Sequence, residues 1–242
     1  MNGPFSIFKW EALFKDFNIF FEGFVTTLEV SILGLILALI LGTIFGVLST
    51  SKIKIFKIIC RIYVEIIQNT PLVIQVFFLF NGLPYVKIVL PVFLIGILGV
   101  GVYHGAYIAE VVRTGITSIS KGQFEAAKSQ GFSHIQTMRY IILPQTIKII
   151  IPPLANQMVN LIKNTSVLAM IAGGDLMYTA DSWSSANMYY GPAYVITGAL
   201  YFVICYPLAM LSRKLELREK KKALIKIEDS ISGQTAVAEG GL

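Results

Sequence analysis

The chain has 242 residues, 55% hydrophobic and 14% charged, with a mean hydropathy of +0.70 and a formal net charge of +6. Soluble domains carry about a quarter charged residues, so the composition excludes an ordinary soluble domain and points to the membrane class. The positive charge does not mark a nucleic-acid binder, because the basic residues fall in clusters between apolar runs rather than among stacking aromatics on a soluble face.

Residues 1–20 hold Phe5, Phe8, Trp10, Phe14 and Phe17 among a few charges, a pattern suited to lying along the outer membrane interface. They have no basic region leading into a short apolar run and cleavage site, so no secretory signal is expected. Five apolar runs follow, near residues 24–48, 58–80, 88–111, 147–172 and 194–211, each long enough to cross ~30 Å of hydrocarbon as a helix. The expected fold is therefore an all-α integral membrane protein with five transmembrane helices in a membrane domain over 21–215. The polar tail over 216–242 is expected to be cytoplasmic and flexible, fraying from Lys220 onward. No internal repeat is evident.

The basic residues orient these spans. Lys52, Lys54, Lys57 and Arg61 follow the first run, Arg113, Lys121, Lys128 and Arg139 follow the third, and Arg213, Lys214, Arg218, Lys220, Lys221, Lys222 and Lys226 follow the fifth. The opposite side carries only Lys9, Lys15 and Lys87. The positive-inside rule then places the N-terminus outside and the C-terminus in the cytoplasm. Cys60 and Cys205 have no partner spacing and read as small buried apolar side chains. His104 reads as a histidine packed and hydrogen-bonded between helices. Glu110 and Arg113, three apart, read as a local ion pair. Gly42-x-x-x-Gly46 and Gly101-x-x-x-Gly105 read as close helix contacts.

Between the third and fourth runs lies Gln-Phe-Glu-Ala-Ala-Lys-Ser-Gln-Gly-Phe-Ser-His-Ile-Gln-Thr-Met-Arg-Tyr-Ile-Ile-Leu-Pro-Gln, residues 123–145. Ser120 with Gln123 has capping-box form and predicts a helix over 121–130; Gly131 sits where a helix end favours a left-handed residue. Ser133 with Gln136 repeats the box and opens a second helix, which Pro144 limits or kinks. On pattern alone, this unit suits either an amphipathic pair resting on the membrane or a docking site. Ala126 and Ala127 offer a shallow surface, and Phe124 and Phe132 offer apolar anchors.

Glu125-Ala126-Ala127, then Gly131, then Ile141-x-Leu143-Pro144 resembles the EAA motif of binding-protein-dependent ABC importer permeases. Glu65-Ile-Ile-Gln68-Asn69-Thr70-Pro71-Leu72, Leu143-Pro144-Gln145, Asn156-Gln157 and Leu161-Ile-Lys163-Asn164-Thr165-Ser166 resemble the polar amino acid subgroup, with Asn69 where glycine is common and Asn164 where aspartate is common. The resemblance covers roughly residues 20–215. It implies a type I importer permease in the bacterial cytoplasmic membrane, with residues 120–145 seated on a cytoplasmic ABC ATPase through Phe124, Glu125, Ala126, Ala127, Gly131 and Phe132. It also implies an external amino acid binding protein, a second permease copy or close homologue, and ATP bound only by the partner, with no cofactor or metal in this chain.

Polar side chains inside spans are costly and tend to face a cavity or another protein group. Asn156, Asn160, Lys163 and Asn164 share one face of the fourth run, behind Pro152 and Pro153, which are expected to break the helix. Glu65, Gln68, Asn69 and Gln75 cluster around Pro71 in the second. Two such stripes suit a hydrophilic path for a polar amino acid, with a lean to glutamine or glutamate; helix-to-helix glue is the competing role. Glu65 and Lys163 would hold the ammonium and carboxylate of the substrate, or pair with each other. No Gly-x-x-x-x-Gly-Lys-Ser/Thr loop, His-Glu-x-x-His run or Gly-x-Ser-x-Gly elbow is present, so the chain reads as a transport subunit rather than an enzyme. The alternative is a self-sufficient secondary carrier or channel.

Overall fold

The computed structural model describes residues 3–239, with side chains described through Glu219 and at Lys221. The chain is helical throughout its regular structure. Helix α1 (Ile7–Lys15) leads through Asp16 into α2 (Phe17–Ser49), and α3 (Lys54–Gln68) is followed by α4 (Leu72–Phe77), a π turn and a 3₁₀ turn ending at Val86. Next come α5 (Val92–Thr117), the short pair α6 (Lys121–Ser129) and α7 (His134–Thr137), and α8 (Leu143–Asn164) with a 3₁₀ extension to Ile171. Helices α9 (Leu176–Asn187) and α10 (Tyr190–Glu239) complete the chain.

Among the described residues, three helices are each long and apolar enough to cross a membrane: α2, α5 and the Tyr190–Glu219 part of α10. The second expected span is not one rod, because Lys54–Gln68 and Leu72–Val86 meet at 99°. Pro71 disfavours helical backbone at the residue before it, so the chain turns here. The carbonyls this frees are taken up locally: Asn69 Nδ2 donates to Glu65 O at 2.8 Å, Thr70 Oγ1 to Ile66 O at 2.8 Å, and Gln75 Nε2 to Ile67 O at 2.9 Å and Thr70 O at 3.0 Å. In α8 the outcome is the opposite. Pro152 and Pro153 lie inside an unbroken helix rather than ending it. Proline's fixed φ is compatible with helix, so the two rings cost hydrogen bonds without forcing a break.

Helices α2 and α5 pack backbone to side chain along a ladder of small residues. Gly34, Ala38, Gly42 and Gly46 are all buried and recur every four residues on α2. A Cβ on Gly42 would fall 2.3 Å from Ile108 Cγ2, and one on Gly46 would fall 2.6 Å from Val112 Cβ. From α5, Gly101 meets Leu37 and Gly105 meets Tyr63 and Leu41 in the same way. The expected glycine contacts are thus the seam of the main core, which also takes in Val30, Val76, Ile95, Val100, Ile142, Leu161 and Leu168.

A second cluster closes the other end: Leu13, Phe20, Leu176, Ala180, Trp183 and Ala193 pack together from α1, α2, α9 and α10. Helix α9 falls between the fourth and fifth apolar runs, so run length does not predict it. Asp175 caps it, accepting from Met177 N at 3.0 Å, while Thr27 Oγ1 of α2 accepts from Leu176 N at 3.0 Å. Cys60 and Cys205 are buried free thiols, as expected. The backbone of α10 continues as helix past Lys220, where the sequence predicts fraying.

Candidate functional site

The polar residues expected on the two stripes divide into two neighbourhoods. Glu65 of α3 is bound to Arg61 one turn away, Nε to Oε1 at 2.7 Å. Both line a cavity of about 480 Å³ with Lys57, Cys60, Glu110 and Arg113, between α2, α3 and α5. Arg113 holds Glu110 with two guanidinium nitrogens, Nε donating to Oε2 at 2.8 Å, so that pair is local as expected. Gln68 donates to Ala106 O at 3.2 Å, fixing α3 to α5. Asn69 and Gln75 spend their amide hydrogens on the bend at Pro71.

The α8 residues form the other neighbourhood. Asn160, Lys163 and Asn164, together with Gln157, face Tyr103, His104 and Tyr107 of α5 across a cavity of about 230 Å³. Asn156, though on the same stripe, turns to α10 and accepts from Ser212 Oγ at 2.9 Å. Glu65 and Lys163 share no cavity and do not pair with each other; Glu65 is with Arg61 and Lys163 lies on the far side of α5.

Lys163 has no carboxylate partner among the described residues, and no carboxylate lines its cavity with Tyr107. It also lines two further cavities, of about 440 and 310 Å³, against α10. Its place in the last turn of α8 suits a cation, because the carbonyl end of the helix dipole is there. Opposite it, the Tyr103 and Tyr107 hydroxyls lie 3.0 Å apart and their rings 5.0 Å apart, centroid to centroid. Two aromatic faces and a hydroxyl pair are a suitable counterpart for an ammonium group. His104, 2% exposed, is hydrogen-bonded between helices: Nδ1 to Gln157 Oε1 at 3.1 Å and Nε2 to Asn164 Nδ2 at 3.0 Å. Tyr103, Tyr107 and Gln157 are missing from the expected path. An aromatic–histidine–aromatic spacing on one helix face was the available signal, but rings inside an apolar run read as core.

The 120–145 loop forms helix, glycine turn, helix. Gly131 has φ +79°, the left-handed value its place at the end of α6 required, with Phe132 N donating to Ala127 O at 3.1 Å. Ser133 and Gln136 make a full capping box. Ser120 does not: its hydroxyl caps nothing, and Gln123 Oε1 accepts instead from Gln145 Nε2 of α8 at 3.4 Å. Of the expected docking residues, Glu125, Ala126 and Gly131 are exposed, Phe124 and Phe132 are half-buried, and Ala127 is buried, facing the fold rather than outward. Phe124 packs on the main core. The apolar groups this loop does present are Ile135 and Tyr140, both largely exposed. Lone large apolar residues within a polar loop were their sequence signal.

Known proteins match this arrangement. The family described as "Binding-protein-dependent transport system inner membrane component" matches residues 34–221. The Bacillus subtilis protein named "Probable glutamine ABC transporter permease protein GlnM" is 42% identical over 209 residues, covering 86% of this chain and 97% of its own. A solved structure titled "Crystal structure of an amino acid ABC transporter with histidines" superposes with a TM-score of 0.80 at 32% identity, covering 86% of this chain and 98% of that one. An inward-facing MetNI methionine ABC transporter shares the fold at a TM-score of 0.60 and 17% identity.

Proposed function

The chain belongs to the family of binding-protein-dependent transport system inner membrane components and is the permease subunit of an amino acid ABC importer, and from that premise we propose that its cargo is a polar amino acid, glutamine before glutamate, moving along the α5–α8 face. Membership sets aside the self-sufficient carrier. The family implies that a separate ATPase uses ATP and that a binding protein delivers the substrate.

The observation that carries the proposed path is Lys163, an ammonium group without a carboxylate partner facing a polar cavity in a helix of the membrane domain. Such a charge is costly unless it serves a pathway or a counter-ion. A substrate α-carboxylate would meet Lys163, and its α-ammonium would meet the faces of Tyr103 and Tyr107. Glu65, tied to Arg61, is set apart from this task. Asn160 supplies a further polar wall. Gln68, Asn69 and Gln75 act on the path indirectly, by shaping the bend through which α3 and α4 meet α5.

Two permease copies, or one copy with a close homologue, would enclose the path. The bent α3–α4 pair and α8 would each cross the bilayer, giving five spans, with the N-terminus outside and the C-terminus in the cytoplasm. The ATPase would grip the surface formed by Glu125, Ala126, Ile135 and Tyr140, and the Gln123–Gln145 contact would pass its movement to α8.

The test is uptake of radiolabelled L-glutamine by proteoliposomes holding the full importer with its binding protein. Lys163→Met is expected to lose most uptake while the ATPase still co-purifies. Wild-type uptake and competition profiles from Lys163→Met would remove Lys163 from the path.

A further inference from the structure

We propose that His104 is a positioning residue by which this permease distinguishes a side-chain carboxamide from a carboxylate; this rests on the α5–α8 cavity being on the transport path. His104 lies buried between two amides of α8, Gln157 and Asn164, which are two turns apart on one helical face. A neutral imidazole has one N–H and one lone pair. The two amides flanking it must therefore turn opposite halves toward the ring. Gln157 offers its oxygen to Nδ1 and Asn164 its NH₂ to Nε2, so Nδ1 carries the hydrogen.

What remains for the cavity follows directly. Gln157 keeps its NH₂ and Asn164 keeps its carbonyl oxygen, and neither group takes a further hydrogen bond among the described residues. If both amides turned over together and the imidazole hydrogen moved to Nε2, the cavity would still be offered one donor and one acceptor. An isolated asparagine or glutamine rotates at little cost and selects nothing; clamped to one imidazole, the two amides must present opposite halves to the cavity.

One donor and one acceptor together, one from each amide, are the hydrogen-bonding complement of a carboxamide. A carboxylate only accepts, so one of its oxygens would face the carbonyl of Asn164. A guanidinium or ammonium side chain only donates, and the cavity lacks a carboxylate to receive it. Groups left unpaired in a buried site are where discrimination arises, rather than in the bond that is made. Lys163 stays available for the α-carboxylate common to every amino acid. His104 and its two amides therefore sort side chains, while Lys163 holds the part that all substrates share.

The binding protein would mask this selectivity, so the experiment uses the solubilised permease–ATPase complex without it. Equilibrium binding of radiolabelled L-glutamine is displaced by unlabelled L-glutamine, L-glutamate or L-lysine. In the wild type, glutamate is expected to need about tenfold or more concentration over glutamine for half displacement. His104→Phe frees both amides and should bring that ratio close to one, whereas His104→Gln, again one donor and one acceptor, should retain part of it. Asn164→Asp leaves two acceptors facing the cavity, so lysine should become a competitor and glutamate a weaker one. Asn164→Asp carries the test if His104→Phe fails to fold. A wild-type ratio near one, an unchanged ratio in His104→Phe, or an unchanged order of competitors in Asn164→Asp would overturn the proposal for His104. Glutamine binding unaffected by Lys163→Met, or none in the wild type, would instead overturn the path on which it rests.

Discussion

Trp183 of α9 donates its indole Nε1–H to Asp16 Oδ2 at 2.8 Å, joining two residues 167 positions apart. Asp16 is the link between α1 and α2, so this one bond fastens the N-terminal segment to the far end of the chain. The ring is held edge-on against Phe20 at 5.6 Å. Trp183→Phe keeps an aromatic ring but removes the donor, and a hydrogen bond to a charged acceptor is worth about 1.5–3 kcal/mol. Thermal unfolding of the solubilised complex should show a loss of that order, with Asp16→Asn losing less because it keeps an acceptor. No change in either variant would mean that α1 is not anchored here.

Asp175 offers a pH-dependent counterpart at the same end. It is fully buried; burial raises its pKa to about 6, opposed by hydrogen bonds from the Met177 and Tyr178 backbone, and its Oδ1 has no hydrogen-bond partner among the described residues. Below about pH 4 the carboxyl is protonated in both folded and unfolded chains. As pH rises through about 6 the folded state must carry a buried charge, so stability present at low pH is lost. Asp175→Asn keeps a good N-cap and removes that cost, on the order of 3 kcal/mol at pH 7.5. The variant should therefore melt higher than wild type at pH 7.5, and the gap should close by pH 4. A gap that is constant with pH would show that the carboxyl does not titrate in this range.

The α2–α5 seam makes a steric prediction. Gly42→Leu puts a Cβ 2.3 Å from Ile108 Cγ2 and 3.1 Å from Ala109 N, so the two helices must separate. Overpacking of this kind costs about 1–3 kcal/mol. Ile108→Gly in the same chain removes both the Cγ2 and the Cβ, which lies 2.5 Å from the added atom, and should restore part of the loss, which a double-mutant cycle on melting temperature would measure. Additive losses would place the fault elsewhere on α2.

Much of this architecture was legible from residue spacing. Hydrophobic run length located α2, α5 and α10, and Gly42 and Gly46 announced the seam because only small residues let two backbones approach closely. Gly131 and the Ser133–Gln136 box gave the loop its turn. The rest depended on tertiary context. Pro71 and the Pro152–Pro153 pair carry the same local signal, yet only Pro71 turns the chain, where Asn69, Thr70 and Gln75 are placed to take up the freed carbonyls. Helix α9 is short and mixed in character, and it becomes visible only through Leu176 and Trp183 packing on Phe20. Asn156 and Asn160 look alike on the α8 stripe, but Ser212 on α10 takes the first and leaves the second to the cavity.

Gly131 separates rigidity from chemistry in the 120–145 loop. Its φ of +79° is closed to proline, and its N–H donates to Lys128 O at 3.0 Å. Gly131→Pro therefore loses both the left-handed turn and that bond, and α7 can no longer follow α6 at the same angle. Gly131→Ala keeps the N–H and meets no atom within 4 Å, so it bears only the left-handed strain, about 1–2 kcal/mol. The loop lies apart from the α5–α8 cavity, so neither change should alter glutamine binding to the permease. In proteoliposomes, Gly131→Pro should abolish uptake while ATP hydrolysis no longer responds to the loaded binding protein, and Gly131→Ala should fall between it and wild type. Glu125→Lys, on the exposed face of α6, should uncouple in the same way by reversing a charge without disturbing the turn. Wild-type uptake by Gly131→Pro would show that the ATPase drives the permease through another surface.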